Sequence, residues 1–454
     1  MVETKKDLIL LLNKLKRCSS DALVRDILKI ILVNKKHQDK IFSTVKGVGL
    51  KKENENKINN VIESLKNIPY VHVKNGGSVI YYKTRSLGCE HCINDLGCTL
   101  RITTQCNRNC FFCFADNSPI TVKSKPEIFL LKNTIRRRLK EIEFKSFAIS
   151  GGEPFLYPEA VFKMLEYVNG FGEGRIYTRI YTNGDLINED ILKRLGKLGL
   201  NEIRYSIKPL EDPDISLLKA SKKYISKVLI EMPVLPNSES FMKNLICKLD
   251  EIGIDGINLL ELFFNGYHID DFTKRKYKVD LDRKGIRKIY DAKPIYEYPI
   301  YGSRILCLRL IKYFADVKAG IFINFCSQET KQLQYDKKIQ RAAIKSKPVH
   351  SSITDKNTHE ILAIYSNIKN AENKLLHRGI KNFYIRKNKG KIQRMETSVK
   401  YLKHFLGKDY LLVKIYRDPS CAYDVDFELL NIKQERQINR NVHKLIAGFI
   451  DYAI

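Results

Sequence analysis

Apolar residues between positions 98 and 260 fall into two alternating rhythms. Short runs rich in β-branched and aromatic residues, at 99–103, 146–149, 176–181, 202–207, 228–232 and 256–260, predict strands. The stretches between them repeat apolar residues every three or four positions, as with Ile128, Leu131, Ile135 and Leu139 in a helix expected over 126–143. Further helices are expected at 158–168, 189–198, 215–225 and 239–252. Strand–helix alternation implies a parallel sheet, because each helical crossover returns the chain to start the next strand in the same direction. The expected fold class is therefore α/β, a partial (β/α)6 TIM-like barrel, with its chemistry at the carboxyl ends of the strands.

The flanks lose this rhythm. Residues 1–84 predict a mainly helical amino-terminal appendage, with helices at 7–15, 21–33 and 60–65. It closes on a β-hairpin in which Tyr70, Val71 and Val73 face Val79, Ile80, Tyr81 and Tyr82 across Asn75-Gly76-Gly77. Packing on the barrel is its plainest use, and a winged-helix-like reader of nucleic acid or peptide is the other. Residues 85–345 are expected to form the barrel domain. Within it, 263–301 is a long charged insertion with Tyr267, His268, Tyr290, Tyr296 and Tyr298, and a long loop at a barrel mouth suits substrate recognition. A helix at 303–317 and a strand at 321–325, ending at Cys326, follow. Residues 346–454 predict an α+β cap with a polar linker at 350–357, helices at 359–368, 371–376 and 398–406, and a strand at 411–416.

With 454 residues, 44% of them hydrophobic, the chain can bury a large core. Its formal charge of +29 attracts nucleic acid, acidic protein or anionic surfaces, but the basic residues are spread throughout and name no single partner. The basic run 381–394 opens on Phe383 and Tyr384, a combination that can stack bases, although most charge runs are solvated faces. The first apolar run, at 8–12, is too short for a signal peptide or a membrane span, so no membrane contact is expected. Eleven cysteines without a secretory signal point to the reducing cytoplasm, where thiols are available to metals.

The chemistry concentrates in residues 103–116, TTQCNRNCFFCFAD. Cys106, Cys110 and Cys113 form a CxxxCxxC pattern, too tight for disulfides and suited to one metal cluster. Three thiolates can hold three irons of a 4Fe-4S cube and leave the fourth open. A zinc knuckle would instead pair a short CxxC with a second, distant pair. Cys89 and Cys92 do form a CxxC, and with Cys98 and the distant Cys326 they are candidates for zinc or a second cluster, or are plain thiols. Cys326 is also a candidate hydrogen-atom donor.

The cysteine pattern resembles the radical S-adenosylmethionine (SAM) superfamily, and the chain is similar to its pyruvate formate-lyase activating enzyme-like branch over about residues 86–330. Ser150, Gly151, Gly152, Glu153 and Pro154, closing the second strand, match that superfamily's GGEP motif. The resemblance implies a 4Fe-4S cluster on Cys106, Cys110 and Cys113, with SAM chelated at the open iron. The amino group of SAM would lie at the GGEP segment, where glycines admit the ligand and Glu153 accepts from its ammonium. Phe112 would pack near the adenine. Asn183, in the Thr182-Asn183-Gly184 that ends the third strand, would bind the cofactor, and Ser206 and Lys208, at the end of the fourth, would reach the ribose or carboxylate. Asn258, with Glu231, Pro233 and Glu261, would form the adenine and substrate rim.

The implied activity is reductive cleavage of SAM to a 5'-deoxyadenosyl radical that takes hydrogen from a protein or peptide, with a reductant such as flavodoxin or ferredoxin. Two other readings are open at this point: a radical SAM enzyme that modifies RNA, and a non-catalytic protein that carries a metal cluster.

Overall fold

The computed structural model describes residues 47–52, 54–113, 126–141, 144–172, 176–264, 268–280, 286–290, 293–345, 351–353, 359–365, 367–381, 383–388, 391–405, 412–418 and 423–429. The helices expected at 7–15 and 21–33 lie outside them, as does Tyr267. The chain divides into two compact units: Ser43–Arg287 with Tyr296–Tyr335, and Met1–Phe42 with Lys288–Ile295 and Asp336–Ile454. No described helix is long and apolar enough to cross a membrane.

The unit containing the cysteine motif is built on a nine-stranded sheet. Its strands are β1 (Val71–Lys74), β2 (Val79–Tyr82), β3 (Gly97–Arg101), β4 (Ser146–Ser150), β5 (Tyr177–Thr182), β6 (Glu202–Ser206), β7 (Lys227–Val234), β8 (Gly256–Glu261) and β9 (Phe322–Cys326). They lie in the order β1-β2-β9-β8-β7-β6-β5-β4-β3. From β3 to β9 every neighbour is parallel, while β2 runs antiparallel to β9 and to β1. The expected six parallel strands are present as β3 to β8, and β9 extends them. The sheet ends at β1 and β3, an incomplete barrel.

The hairpin expected to end a separate appendage at residue 84 is part of this sheet. Tyr82, Tyr81 and Ile80 of β2 pair with Ile323, Asn324 and Phe325 of β9. All four residues of β2 are buried, so it has no solvated face to present as a wing. Ahead of it, α1 (Glu55–Lys66) is capped by the Asn54 side chain and buries Ile58, Ile62 and Leu65.

Side chains alternate across the strands, and the two faces are different in kind. Phe147, Ile149, Ile180, Ile203, Ile230, Ile257 and Ile323 point outward into the main hydrophobic core. Each such side chain contributes roughly 1.5–3 kcal/mol by leaving water. The inward face instead carries Arg179, Glu202, Arg204, Glu231, Asn258 and Asn324, linked by hydrogen bonds. Arg204 pairs with Glu202 and, at 3.1 Å, with Glu231, while Tyr177 donates to Glu202 at 2.8 Å. Helix α2 (Leu87–Ile93), which no apolar periodicity announces, plugs this interior. Arg179 donates to the Gly88 carbonyl at 2.5 Å, and Arg204 to the Ser86 hydroxyl at 2.9 Å and the Cys89 sulfur at 3.2 Å.

The other unit holds an antiparallel sheet of β10 (His359–Ile364), β11 (Phe383–Asn388), β12 (Lys391–Ser398), β13 (Leu412–Asp418) and β14 (Tyr423–Leu429), with Ser351–Ile353 paired to β10. The helix expected at 359–368 is thus the strand β10, because partners on both sides claim its backbone. The helix expected at 398–406 is a short 3-10 turn, Val399–His404. The basic run 381–394 becomes the hairpin β11–β12. Its Arg394 is buried against Glu396 and donates to the Tyr365 hydroxyl at 2.7 Å, so this cation is structural.

Candidate functional site

A cavity of about 350 Å³ opens at the carboxyl ends of the parallel strands. Cys106, Arg108, Cys110, Phe112 and Cys113 form one wall with Ser150, Gly151 and Gly152. Tyr181, Thr182, Asn183, Ser206 and Ile207 occupy the middle, and Glu231, Pro233, Leu260, Glu261, Leu262 and Phe263 form the opposite wall.

The cysteine loop is fixed by contacts that begin at the glycines. A Cβ on Gly151, at φ +154°, would lie 2.4 Å from the Thr103 carbonyl, and one on Gly152 would lie 1.9 Å from that of Gln105. The bare backbone lets Gly152 N–H donate to Thr103 at 2.9 Å and Glu153 N–H to Gln105 at 2.8 Å. Further along, Arg108 Nε donates to Asp185 at 2.7 Å in a bidentate pair, and Asn107 donates to the same carboxylate at 2.9 Å. Asn183 donates to Asn107 at 2.7 Å. From another side, Phe111 packs edge-on to Phe272 of α3 (Ile269–Lys274) at 5.5 Å, with the Arg275 guanidinium 4.1 Å from its ring centre. This part of the 263–301 insertion therefore braces the cysteine loop. His268, at the start of α3, lies 3.8 Å from Asp271 and does not line the cavity.

Residues 100–232 match the radical SAM superfamily model. A Methanocaldococcus jannaschii protein provisionally named as a glycyl-radical enzyme activating enzyme is 30% identical over 285 residues, which is 58% of this chain and 68% of that one. This chain belongs to the radical SAM superfamily. An uncharacterized M. jannaschii protein is 30% identical over 151 residues, 31% of this chain and 47% of its own. Among solved structures, Streptococcus suis SuiB bound to the precursor peptide SuiA aligns at 21% identity and a TM-score of 0.38, covering 51% of this chain and 48% of SuiB. The chain thus spans about two thirds of the first relative and about half of the other two.

Members of the radical SAM superfamily use a 4Fe-4S cluster and SAM, and the donor set here fits such a group. Three sulfurs line one cavity with polar backbone and amide groups beside them. Burial pushes the Cys110 thiol up to about 11, with the neighbouring Cys113 and Cys106 adding to it, and burial raises Cys106 as well. Thiols that resist losing a proton on their own give it up to a metal cation, so binding iron would release protons. Among the described residues, no group of three or more His, Cys, Asp or Glu is placed to hold a single metal ion. An iron–sulfur cube gives each cysteine its own iron.

Several residues expected at a radical SAM site take other places. The Glu153 carboxylate does not face the cavity. It accepts from Phe155 N–H at 3.0 Å, the Thr182 hydroxyl at 2.8 Å and Asn183 N–H at 2.7 Å, and its residue is fully buried. Burial raises its pKa, against the lowering effect of those bonds. It is a strut between β4 and β5, and Pro154 behind it is also outside the cavity lining. Lys208 pairs with Glu211 at 3.1 Å and does not line the cavity, although its charge reaches Cys110. Asn258 lies deeper, donating to Glu231 at 3.0 Å and accepting from Asn324 at 3.0 Å. Of the four cysteines considered for a second metal site, Cys98 faces the outer hydrophobic core, whereas Cys89 lies on the inward, polar face. A common site for all four is excluded by the sheet between them. Burial pushes the Cys326 thiol up to about 12. Sequence reasoning missed Arg108, Tyr181 and Asp185. Strand parity could have placed Tyr181, two positions from the inward Arg179.

Proposed function

We propose that this chain is a radical SAM enzyme that cleaves SAM reductively and abstracts a hydrogen atom from a protein or peptide. The observation that carries this reading is the convergence of Cys106, Cys110 and Cys113 with Ser150, Gly151, Gly152, Asn183 and Ser206 around one cavity. Cys106, Cys110 and Cys113 would hold a 4Fe-4S cluster which, with SAM bound and an electron from a reductant such as flavodoxin or ferredoxin, supplies a 5'-deoxyadenosyl radical.

The remaining work falls to this chain's own side chains. Backbone groups at Ser150, Gly151 and Gly152 and the Asn183 amide offer hydrogen bonds to the methionine end of SAM. Ser206 offers a hydroxyl to the ribose, and Phe112 offers a face to the adenine. Glu153, turned inward, holds the Asn183 backbone in place. Pro233, Leu260, Leu262 and Phe263 make an apolar wall, and α2 closes the barrel interior, which keeps water from reaching a radical from that side. A polypeptide substrate is supported by the name of the M. jannaschii relative, since a glycyl-radical enzyme is itself a protein. Free thiols and a reduced cluster suit the cytoplasm.

The test is isotope transfer. The reconstituted, reduced protein is incubated anaerobically with SAM and a proteolytic digest of cells grown in deuterated medium. Deuterium appearing in 5'-deoxyadenosine is the expected result. Cleavage of SAM with deuterium transferred only from deuterated RNA would overturn the polypeptide assignment.

A further inference from the structure

The wall opposite the cysteine loop carries one carboxylate with an open face. Glu231 of β7 lines the cavity among Pro233, Leu260, Leu262 and Phe263, whereas Glu261 of β8 is buried, at 1% exposure. We infer that Glu231 forms a recognition site for a basic side chain, lysine or arginine, of the polypeptide substrate. The inference rests on the function proposed above and names the group that the same cavity takes.

Depth comes from register. Glu231 pairs with Asn258 and Pro233 with Leu260, so apolar side chains stand two positions further along the strands, about 7 Å toward the mouth at the usual rise. Glu231 lies at the deep end, and Pro233 and Leu260 lie between it and the mouth. A lysine or arginine has the matching form, a long aliphatic stem with a charged head.

Glu231 is prepared for such a head. Its Oε2 accepts from Arg204 at 3.1 Å and from Asn258 at 3.0 Å, which fixes the carboxylate in place. Arg204 divides its charge between Glu231 and the fully buried Glu202. The Glu231 side chain keeps 18% of its surface exposed, and that surface opens on the cavity it lines. Both anchors grip one oxygen, and Oε1 has no hydrogen-bond partner among the described residues, which leaves it to accept from an ammonium or guanidinium. Next to Leu260, the buried Glu261 accepts from the Gln328 backbone at 2.8 Å and so braces the wall rather than facing the ligand.

The probes are fluorescein-labelled glycine-rich pentapeptides that differ only at the central residue: lysine, arginine, norleucine or glutamate. They are titrated by anisotropy into the reconstituted full chain with SAM present. Lysine and arginine peptides should bind about tenfold more tightly than the norleucine peptide, as expected for one charge-assisted hydrogen bond. Glutamate should bind most weakly. Glu231→Gln should bring the lysine and norleucine affinities together. Equal affinity of the wild type for lysine and norleucine peptides overturns the inference without any variant. A Glu231→Gln protein that binds SAM less well but keeps the lysine preference overturns it too, by assigning the carboxylate to SAM. SAM cleavage is scored separately. A lysine preference without cleavage would sink the proposed activity alone, and cleavage without the preference would sink the inference alone.

Discussion

The two walls of the cavity are built in opposite ways. The cysteine wall is a loop, and its shape depends on groups brought from elsewhere: the Gly151 and Gly152 backbone, Asp185 gripping Arg108, and the Phe272 ring on Phe111. The Glu231 and Glu261 wall is the end of two hydrogen-bonded strands, and its shape is that of the sheet itself. A loop wall can adapt to a cofactor but is lost piece by piece. A strand wall is rigid, and it fails only when the barrel interior fails.

Changes on each side should therefore differ in what they cost. Cys113→Ala gives the largest expected effect: it removes one of three sulfurs, and iron retained per chain after reconstitution should fall to background while the fold persists. Arg204→Ala attacks the strand wall from beneath. It leaves the fully buried Glu202 without its guanidinium, and loss of one partner from a buried pair costs about 3–5 kcal/mol, readable as a lower urea midpoint. Gly152→Ala forces a Cβ toward the Gln105 carbonyl and should cost about 1–3 kcal/mol, with SAM affinity reduced as well.

The smallest effect is expected at the surface lock. Asp185→Asn should cost less than about 1 kcal/mol at neutral pH, because its side chain is 37% exposed and solvent screens the pair. The Arg108 bond holds the Asp185 carboxyl below its usual range. A depressed carboxylate contributes stability above its unfolded pKa, near 3.9, and loses it as pH falls through the folded value. The melting temperatures of wild type and Asp185→Asn should thus differ at pH 7 and converge below about pH 4. A gap that persists in acid would mean that the lock is not electrostatic.

The same contrast governs what could be read from the chain. The cysteine wall announces itself because its three ligands fall within eight contiguous residues, and the strands β3 to β8 because parallel crossovers impose a rhythm. Orientation was less legible. Glu153 stands at the right place in its motif, yet its carboxylate turns inward, a choice made by Thr182 and Asn183 some 30 positions later. Asn258 was readable as an inward strand residue, but its depth below the mouth depends on how β7 and β8 are staggered. The helix α2 is too short to show a period, and β10 reads as a helix until strands on both sides claim it. Both depend on partners far away in sequence.

The most direct measurement of the central claim, that the cysteine wall serves SAM chemistry, is SAM turnover by the anaerobically reconstituted and reduced protein beside Cys110→Ala. The wild type should yield 5'-deoxyadenosine and methionine in equal amounts, and the variant neither. A wild-type protein that holds its cluster or another metal, yet neither binds nor cleaves SAM, would contradict that claim.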